Sequence, residues 1–472
     1  MASLDMAGKP GVMLTTLSFP SDAAAATAAV GLPDLPIVSL SIPTTAGKDA
    51  VELEKVAREV QQQLIDGLTK TPAELQVKTA TKETPINRAK MLSFKGNTVD
   101  EAEEAMEQFF LANRMTDGFP LVPPTEARVR EMIAASGLAA DKQVGIMDPR
   151  KGVATVEMLA INAVMAGCRP SYMPLLVAVA QAMADPMFDL HGCMATTGLN
   201  APLIIVSGPI IEELNLNFSY STAGPGWRAN STIGRASRLF IINISQAWPG
   251  INDMKDVGNP AKFGIVIAEN EKQTPQGWDT LRERQGFSKN VSTVSVYAAQ
   301  SFRQLHDSQK YLVPTVPYKN IVDPMIARAF SSSLNAGVEQ WGEDLLVVFS
   351  PVMANNLAKM GYTPKKIQEE LFRDARVPRR LFGPRPLGSM GEASGVPKWI
   401  DEAKDDELIP VVPTPEDFRI VVAGGTGGGA SFAVDRWGFG NSLFVTKEIA
   451  LPAQWPQLVK DVEKWKTPIT VR

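Results

Sequence analysis

Histidine and cysteine are nearly absent: the 472 residues hold two of each. Two cysteines cannot build a disulfide framework, and reduced thiols fit a cytoplasmic protein. Two histidines nearly exclude a multi-histidine metal centre, so any metal ion would lean on carboxylates, Cys193 or carbonyls. A basic excess is missing as well. The formal net charge is −4, which leaves nothing to neutralise phosphates and argues against a nucleic-acid or membrane-surface partner. Long apolar runs are missing too. The longest, near Tyr172 to Met183, is too short to span a bilayer and is broken by Pro174. The opening MASLDMAGKPGV lacks a basic region followed by an apolar stretch, so no secretory leader is expected. No nucleotide-cofactor fingerprint occurs either.

What is present reads as an α/β protein of more than one domain. Residues 1–68 alternate strand, helix, strand, helix. GVMLTTLSF is an apolar run of strand length, and SDAAAATAAVG opens on a Ser/Asp cap and stops at Gly31. LPIVSLSI is a second strand. KDAVELEKVAREVQQQLIDGL sets Val51, Leu53, Val56, Val60 and Leu64 at helical spacing. Two strands make too small a core to stand comfortably alone. This unit is therefore expected to be an incomplete flavodoxin-like half-domain, its sheet completed by another chain or by the rest of this one.

Residues 69–96, rich in Lys and Thr, read as a linker or arm. Two α/β lobes with a cleft between them are expected beyond it, 97–295 and 296–472. NTVDEAEEAMEQFFLANRM is an amphipathic helix, Thr125 caps the next, and GVATVEMLAINAVMAGC is an apolar helix ending near Cys168. A weak internal duplication shows: LIIVSGPIIEELNLN (203–217) lines up with LLVVFSPVMANNLAKMG (345–361), both strand, Ser near Pro, then helix. The helical pattern MIARAFSSSLN (325–335) broadly resembles TIGRASRLFIIN. The Gly/Pro-rich FGPRPLGSMGEASGVPKW has the length of a lid or interface loop.

GKPGVMLTTLSF, a helix, and VGLPDLPIVSLSIP together resemble the C-terminal half of the small bacterial domains with a UGSC or CGSC motif, over about residues 9–65. This chain has no such motif and no cysteine there, so no redox residue carries over. The resemblance implies a split domain, with the missing half, and with it a thiol or selenol, on a partner chain. The remainder, with HGCMATT, GPGWRANSTIGRA and AGGTGGG, resembles long uncharacterised bacterial proteins found with that domain.

Four stretches could carry chemistry. In DLHGCMATTG, His191 and Cys193 at i, i+2 would point the same way on an extended backbone and share one small site. Thr196 and Thr197 could bind a carboxylate or carbonyl, or simply close a turn. In STAGPGWRANSTIGRASRL, the tight Gly224–Pro225–Gly226 loop leads to Arg228 and to Asn230, Ser231 and Thr232 at a helix start, an arrangement suited to a small anion. The alternative is a capped helix with a salt-bridged Arg228. Gly424, Gly425, Gly427 and Gly428 after an apolar strand allow close ligand approach or close chain packing at a subunit contact. Glu269 and Glu271 end a buried strand, where ligands of α/β sheets bind; a salt bridge is the competing account. Glu157 and Asn162 share an apolar helix. Cys168 is expected to be inert and His306 solvated.

The composite expectation is an enzyme, or the large subunit of a hetero-oligomeric one, acting on a small anionic organic substrate. His191, Cys193, Glu269 and Glu271 would be catalytic. Thr196, Thr197, Arg228, Asn230–Thr232 and the glycines would bind. The chemistry would be lyase- or hydratase-like, or thiol redox chemistry supplied by a partner. The rival is a non-catalytic assembly subunit of a complex; a partner chain completing the N-terminal half-domain is expected, with a homo-oligomer as the alternative to it.

Overall fold

The N-terminal unit forms from the pattern that predicted it. β1 (Met13–Thr15) and β2 (Ile37–Ser39) pair in parallel, Met13 opposite Ile37. α1 (Ala50–Thr69) starts at a capping box: the Asp49 carboxylate accepts from the Glu52 N–H, and the Glu52 carboxylate from the Asp49 N–H. Val56 and Val60 of α1 meet Val38 and Leu40 in a core of their own. The computed structural model describes residues 10–17, 32–43, 48–71, 90–305, 344–382, 398–437 and 443–466, with Phe19, Pro20, Ala23, Ala24 and Thr27. Most of the alanine-rich helix, most of the expected arm, the 325–335 helix, most of the Gly/Pro-rich connection and His306 lie outside the described residues.

α2 (Val99–Ala112) and α3 (Glu126–Ser136) each begin at a threonine, Thr98 and Thr125, whose hydroxyl accepts from the third helical N–H. β3 (Gln143–Met147) and β4 (Gly152–Thr155) form a hairpin. The sequence pattern starts the next helix at Gly152, but Gly152–Thr155 is extended. A side chain at Gly152 would lie 1.8 Å from the Ile244 carbonyl oxygen, and Thr155 caps α4 (Val156–Met165) instead. α5 (Met173–Met183) is buried almost throughout, and the short α6 (Leu190–Ala195) leads into β5 (Ala201–Ser207). There follow α7 (Ile210–Glu213), α8 (Arg228–Asn243), the two-residue pieces β6 (Trp248–Pro249) and β7 (Asn252–Asp253), β8 (Ile265–Ala268), α9 (Leu281–Arg284) and β9 (Thr293–Leu305). The C-terminal portion adds β10 (Leu345–Phe349), α10 (Pro351–Lys359), α11 (Pro364–Asp374), β11 (Arg376–Pro378), α12 (Lys398–Glu402), β12 (Leu408–Pro410), β13 (Phe418–Val422), β14 (Ser431–Arg436), β15 (Val445–Glu448) and α13 (Trp455–Val462).

One mixed sheet joins both portions, in the order β13-β10-β14-β9-β5-β8, with β15 also on β9. The expected lobes thus share a sheet, and the 295/296 boundary falls inside β9. The sheet is built from two units of the same plan. β5 pairs in parallel with β8, Leu203 opposite Ile265, and antiparallel with β9, Leu203 opposite Tyr297. β10 pairs in parallel with β13, Leu345 opposite Phe418, and antiparallel with β14, Leu345 opposite Asp435. Leu203 and Leu345 are the residues that the repeat LIIVSGP/LLVVFSP superimposes, so the weak sequence duplication and the strand register coincide.

The sheet curls. Alternate residues of six strands, among them Leu203, Ile267, Tyr297, Leu346, Val421 and Val434, form one enclosed cluster. The outer strands approach where the Asn270 N–H donates to the Val422 carbonyl, at 2.7 Å. Arg284 of α9 also bonds the Ile420 carbonyl. The opposite face carries two helix-covered cores. One lies under α4, α5 and α8, the other under α10 and α11. Among the described residues no single helix is long and apolar enough to cross a membrane.

Helix α8 lies unusually close to β8. A Cβ on Gly234 would sit 2.7 Å from the backbone of Gly264, which itself has φ +92°. Backbone on both sides leaves nothing to move aside. Gly234→Ala is therefore expected to cost about 1–3 kcal/mol, as overpacking does, read as a lower denaturation midpoint at unchanged m-value.

Candidate functional site

His191 and Cys193 do not share a face. They lie on α6, where positions two apart are turned by roughly 200°, and not on extended backbone. Asp189, at φ +48°, caps that helix by accepting from the Gly192 N–H at 3.0 Å; this local bond pulls the segment into a helix. Cys193 is fully buried, its Sγ 3.8 Å from the Phe188 carbonyl. His191 is half-buried. Thr196 serves as a turn hydroxyl, accepting from the Gly198 N–H at 3.0 Å. Thr197 is exposed, and its carbonyl accepts from the Asp256 N–H at 3.3 Å.

Glu269 and Glu271 sit at the opposite end of β5, about 20 Å away at strand rise. The grouping of His191 with these carboxylates as one acid–base site is corrected by that separation. Glu269 is buried; it accepts from Ser207 Oγ at 2.6 Å and from the Leu281 N–H at 2.9 Å. Burial holds its carboxyl above the ordinary range against the pull of Arg284. Glu271 accepts from the Gly208 N–H at 2.6 Å and pairs with Arg282. Both carboxylates bind α9 and the turn after β5, so they are held as structural links.

The glycine loop joins this same end. Asn270 Nδ2 donates to the Gly424 carbonyl at 3.0 Å, and the Gly424 N–H to the Phe218 carbonyl at 2.9 Å. Gly424 has φ +101°, which favours glycine. Gly425 and Gly427 face Tyr220: a Cβ on Gly425 would lie 2.4 Å from its ring. These two glycines admit a neighbouring segment of the same chain, while Gly428 stands open.

The start of α8 splits its candidates. Asn230 is buried and spent on structure: its Oδ1 accepts from the Asn217 N–H at 2.7 Å, and its Nδ2 donates to the Asn217 and Val266 carbonyls. Thr232 Oγ1 donates back to the Arg228 carbonyl at 2.7 Å. Ser231 is exposed. Arg228 is different. With Ala229 it lines a pocket of about 260 Å³ that Arg169, Ser171, Tyr172, Glu131, Leu458 and Trp465 also help to wall. One helical N-terminus opens on it: Trp227 caps α8 without a side-chain bond. Pro170–Tyr172 leads into α5, where the Tyr172 and Met173 N–H groups already donate to the Arg169 and Pro170 carbonyls. The unpaired N–H groups and dipole of α8 favour an anion. Arg169 lies 3.9 Å over the Trp465 ring, and its Nε has no partner among the described residues. Burial raises the Tyr172 phenol to about 12. Sequence reasoning found Arg228 and missed Arg169 and Tyr172; the only signal was CRPSY, an arginine before an N1 proline at the head of an apolar helix.

A second polar cluster was also missed. Asp253, 1% exposed at its side chain, meets Arg238 at 3.0 Å and Lys262 at 2.6 Å, and Lys255 lies 3.6 Å away. Lys255 Nζ also bonds the Cys193 carbonyl. Burial pulls the Lys255 ammonium down to about 8, against the pull of Asp253. Nothing in NDMKDVGNPAKF announces burial, because its charges alternate as a surface loop's would. Elsewhere Asn162 of α4 accepts from Asn243 Nδ2 at 2.6 Å, which ties α4 to α8. Among the described residues no group of three or more His, Cys, Asp or Glu side chains could hold a metal ion. No protein-family model matches the chain, and a search of the curated proteins finds no match either.

Two measurements follow from these environments. Cys168 donates its thiol to the Thr232 carbonyl at 3.2 Å, and burial raises it to about 12. Only about one molecule in ten thousand would be thiolate at pH 8, and Cys193 is sealed. A disulfide reagent at pH 8 should find no fast thiol in the native protein and two after denaturation. For Lys255, the folded pKa lies below the unfolded one. Its burial penalty is full below about pH 8 and fades as pH rises towards about 10.4. Native stability should therefore gain with pH across that window relative to Lys255→Met, read by urea denaturation.

Proposed function

We propose that this protein is an enzyme, or the large subunit of one, acting on a small anionic organic molecule bound between Arg169 and Arg228. One observation carries the reading: two arginines line a single pocket at the uncapped start of α8. The apolar wall of Leu458 and Trp465 suits the carbon part of an organic anion better than a bare inorganic ion. Tyr172, held protonated by burial, can donate a hydrogen bond to the bound anion, and the exposed Glu131 carboxylate can accept a proton from it, which suits the lyase- or hydratase-type chemistry of this proposal. Relative to the expectation from sequence, the site keeps Arg228 and gains Arg169 and Tyr172. His191 and Cys193 do not line it.

The second reading, an assembly subunit, draws on the N-terminal unit. Its two strands are three residues each, and Leu14, Leu17 and Val51 are 50%, 55% and 76% exposed. Such a unit gains by pairing with a second chain, proposed as the one bearing the missing half of the UGSC-like domain. A cytoplasmic location belongs to the same proposal.

Binding is tested by calorimetry with a panel of dicarboxylates, aromatic carboxylates and phosphate esters. Arg228→Ala and Arg169→Ala should each weaken whichever ligand binds by about 10- to 100-fold, the worth of a charge-assisted hydrogen bond. Equal affinity in both variants and the parent would remove the pocket from consideration. Native mass spectrometry decides the second reading. A stoichiometric second chain supports it, and a homo-oligomer without added mass removes it.

A further inference from the structure

Charges of both signs face the Arg169–Arg228 pocket without meeting. The two guanidinium groups make no hydrogen bond or ion pair among the described residues. Burial and the neighbouring Arg228 charge hold Arg169 below its ordinary range, and no carboxylate among the described residues offsets that repulsion. Glu131 of α3 lines the same pocket and also meets no cation among the described residues. The remaining charges of the lining cancel, for Lys464 Nζ lies 2.8 Å from the Asp461 carboxylate. Two unspent cations and one unspent anion therefore border a single cavity of about 260 Å³. A ligand that carries both signs would bond each of them where water does now.

The lining is graded from solvent inward. Arg228 and Glu131 are exposed. Leu214 and Val462 are 0% and 6% exposed, and Tyr172 is 4% exposed. Charge thus stands at the solvent end and apolar surface lies behind it. A ligand that matches this grading holds its two charges close together at one end and its carbon chain at the other. A dicarboxylate would set its second negative charge near Glu131, which disfavours it. A plain carboxylic acid would leave Glu131 without a partner. An amino acid with its charges at opposite ends of a long chain would have to send one of them in among Leu214 and Val462, which is costly.

We infer that the pocket takes a zwitterionic α-amino acid with an apolar side chain, its carboxylate on Arg169 and Arg228, its ammonium on Glu131, and its side chain against Leu214, Leu458 and Val462. The inference rests on the reading that this pocket is the substrate site, and it supplies the substrate class. The small organic anion of that reading becomes the carboxylate end of an amino acid, and the proton that Glu131 accepts becomes one of the ammonium's. Trp465 already carries Arg169 on one face, 3.9 Å from its ring centroid, so the aliphatic wall receives the bulk of the side chain.

The test is calorimetry on the full chain with matched ligands. These are leucine and phenylalanine, their des-amino analogues isocaproate and hydrocinnamate, and isoamylamine, which keeps the ammonium of leucine and lacks its carboxylate. At least one of the amino acids should bind about 3- to 10-fold tighter than its des-amino analogue, the worth of one ion pair at the edge of a pocket. The amine should bind far more weakly than leucine. Glu131→Gln, at an exposed position that tolerates the change, should erase the preference and leave the analogue's affinity as it was. Arg228→Ala should weaken amino acid and analogue alike. Equal binding of the amino acids and their analogues, a preference that survives Glu131→Gln, or an amine that matches leucine would overturn the inference, while analogue binding that depends on Arg228 would keep the anion site. No binding by any of the five would overturn it as well, and the wider panel of dicarboxylates and phosphate esters then decides the anion site separately.

Discussion

Everything in the larger part of the molecule hangs on β9. Its thirteen residues pair with β5 along one edge and with both β14 and β15 along the other. From Thr293 to Ala299 it is buried on both faces, which lets one strand separate the enclosed core from the helix-covered one. Tyr297 shows how tightly this is held. Its hydroxyl lies 2.9 Å from the Asp344 and Val434 carbonyls, so the second unit is bonded to a side chain of the first. The placing of α6 before β5, of Glu269 after β8 and of the glycine loop after β13 all derive from this strand's register.

Much of the architecture was legible because burial imposes periodicity. The runs LIIVS, IVIA and LLVVF read as buried strands and are. Thr125 reads as a cap and caps. The repeat was legible for the same reason, since two strands with the same partners on each side need the same alternation. The joining of the units into one sheet was not legible, because pairing between β9 and β14 links distant residues through backbone groups common to every amino acid. The coil of α6 was missed because a single Asp189 side-chain bond decides it.

The site was legible only where a charged side chain remains unspent. Arg228 stays exposed at a helix start, and its sequence context said so. Asn230 and Glu269 carry the same polar signature but are consumed by Asn217, Val266, Ser207 and Leu281. A sequence shows what a polar group can bond; it does not show which neighbour arrives first. The cluster at Asp253 is the reverse case. Its residues look like a surface loop, and tertiary packing alone takes them out of water.

The long strand also constrains how the molecule comes into being. Ala201 must find Ala299, and Leu305 must wait for Ser431. A chain leaving the ribosome completes β9 well before β14 and β15 exist, and until then one of its edges is open. Open edges recruit other strands, and pairing over such separations is slow. The interval between synthesis of residues 305 and 431 is therefore the period in which the β14-pairing edge of β9 stands open, and a product ending inside it would carry an unpaired strand.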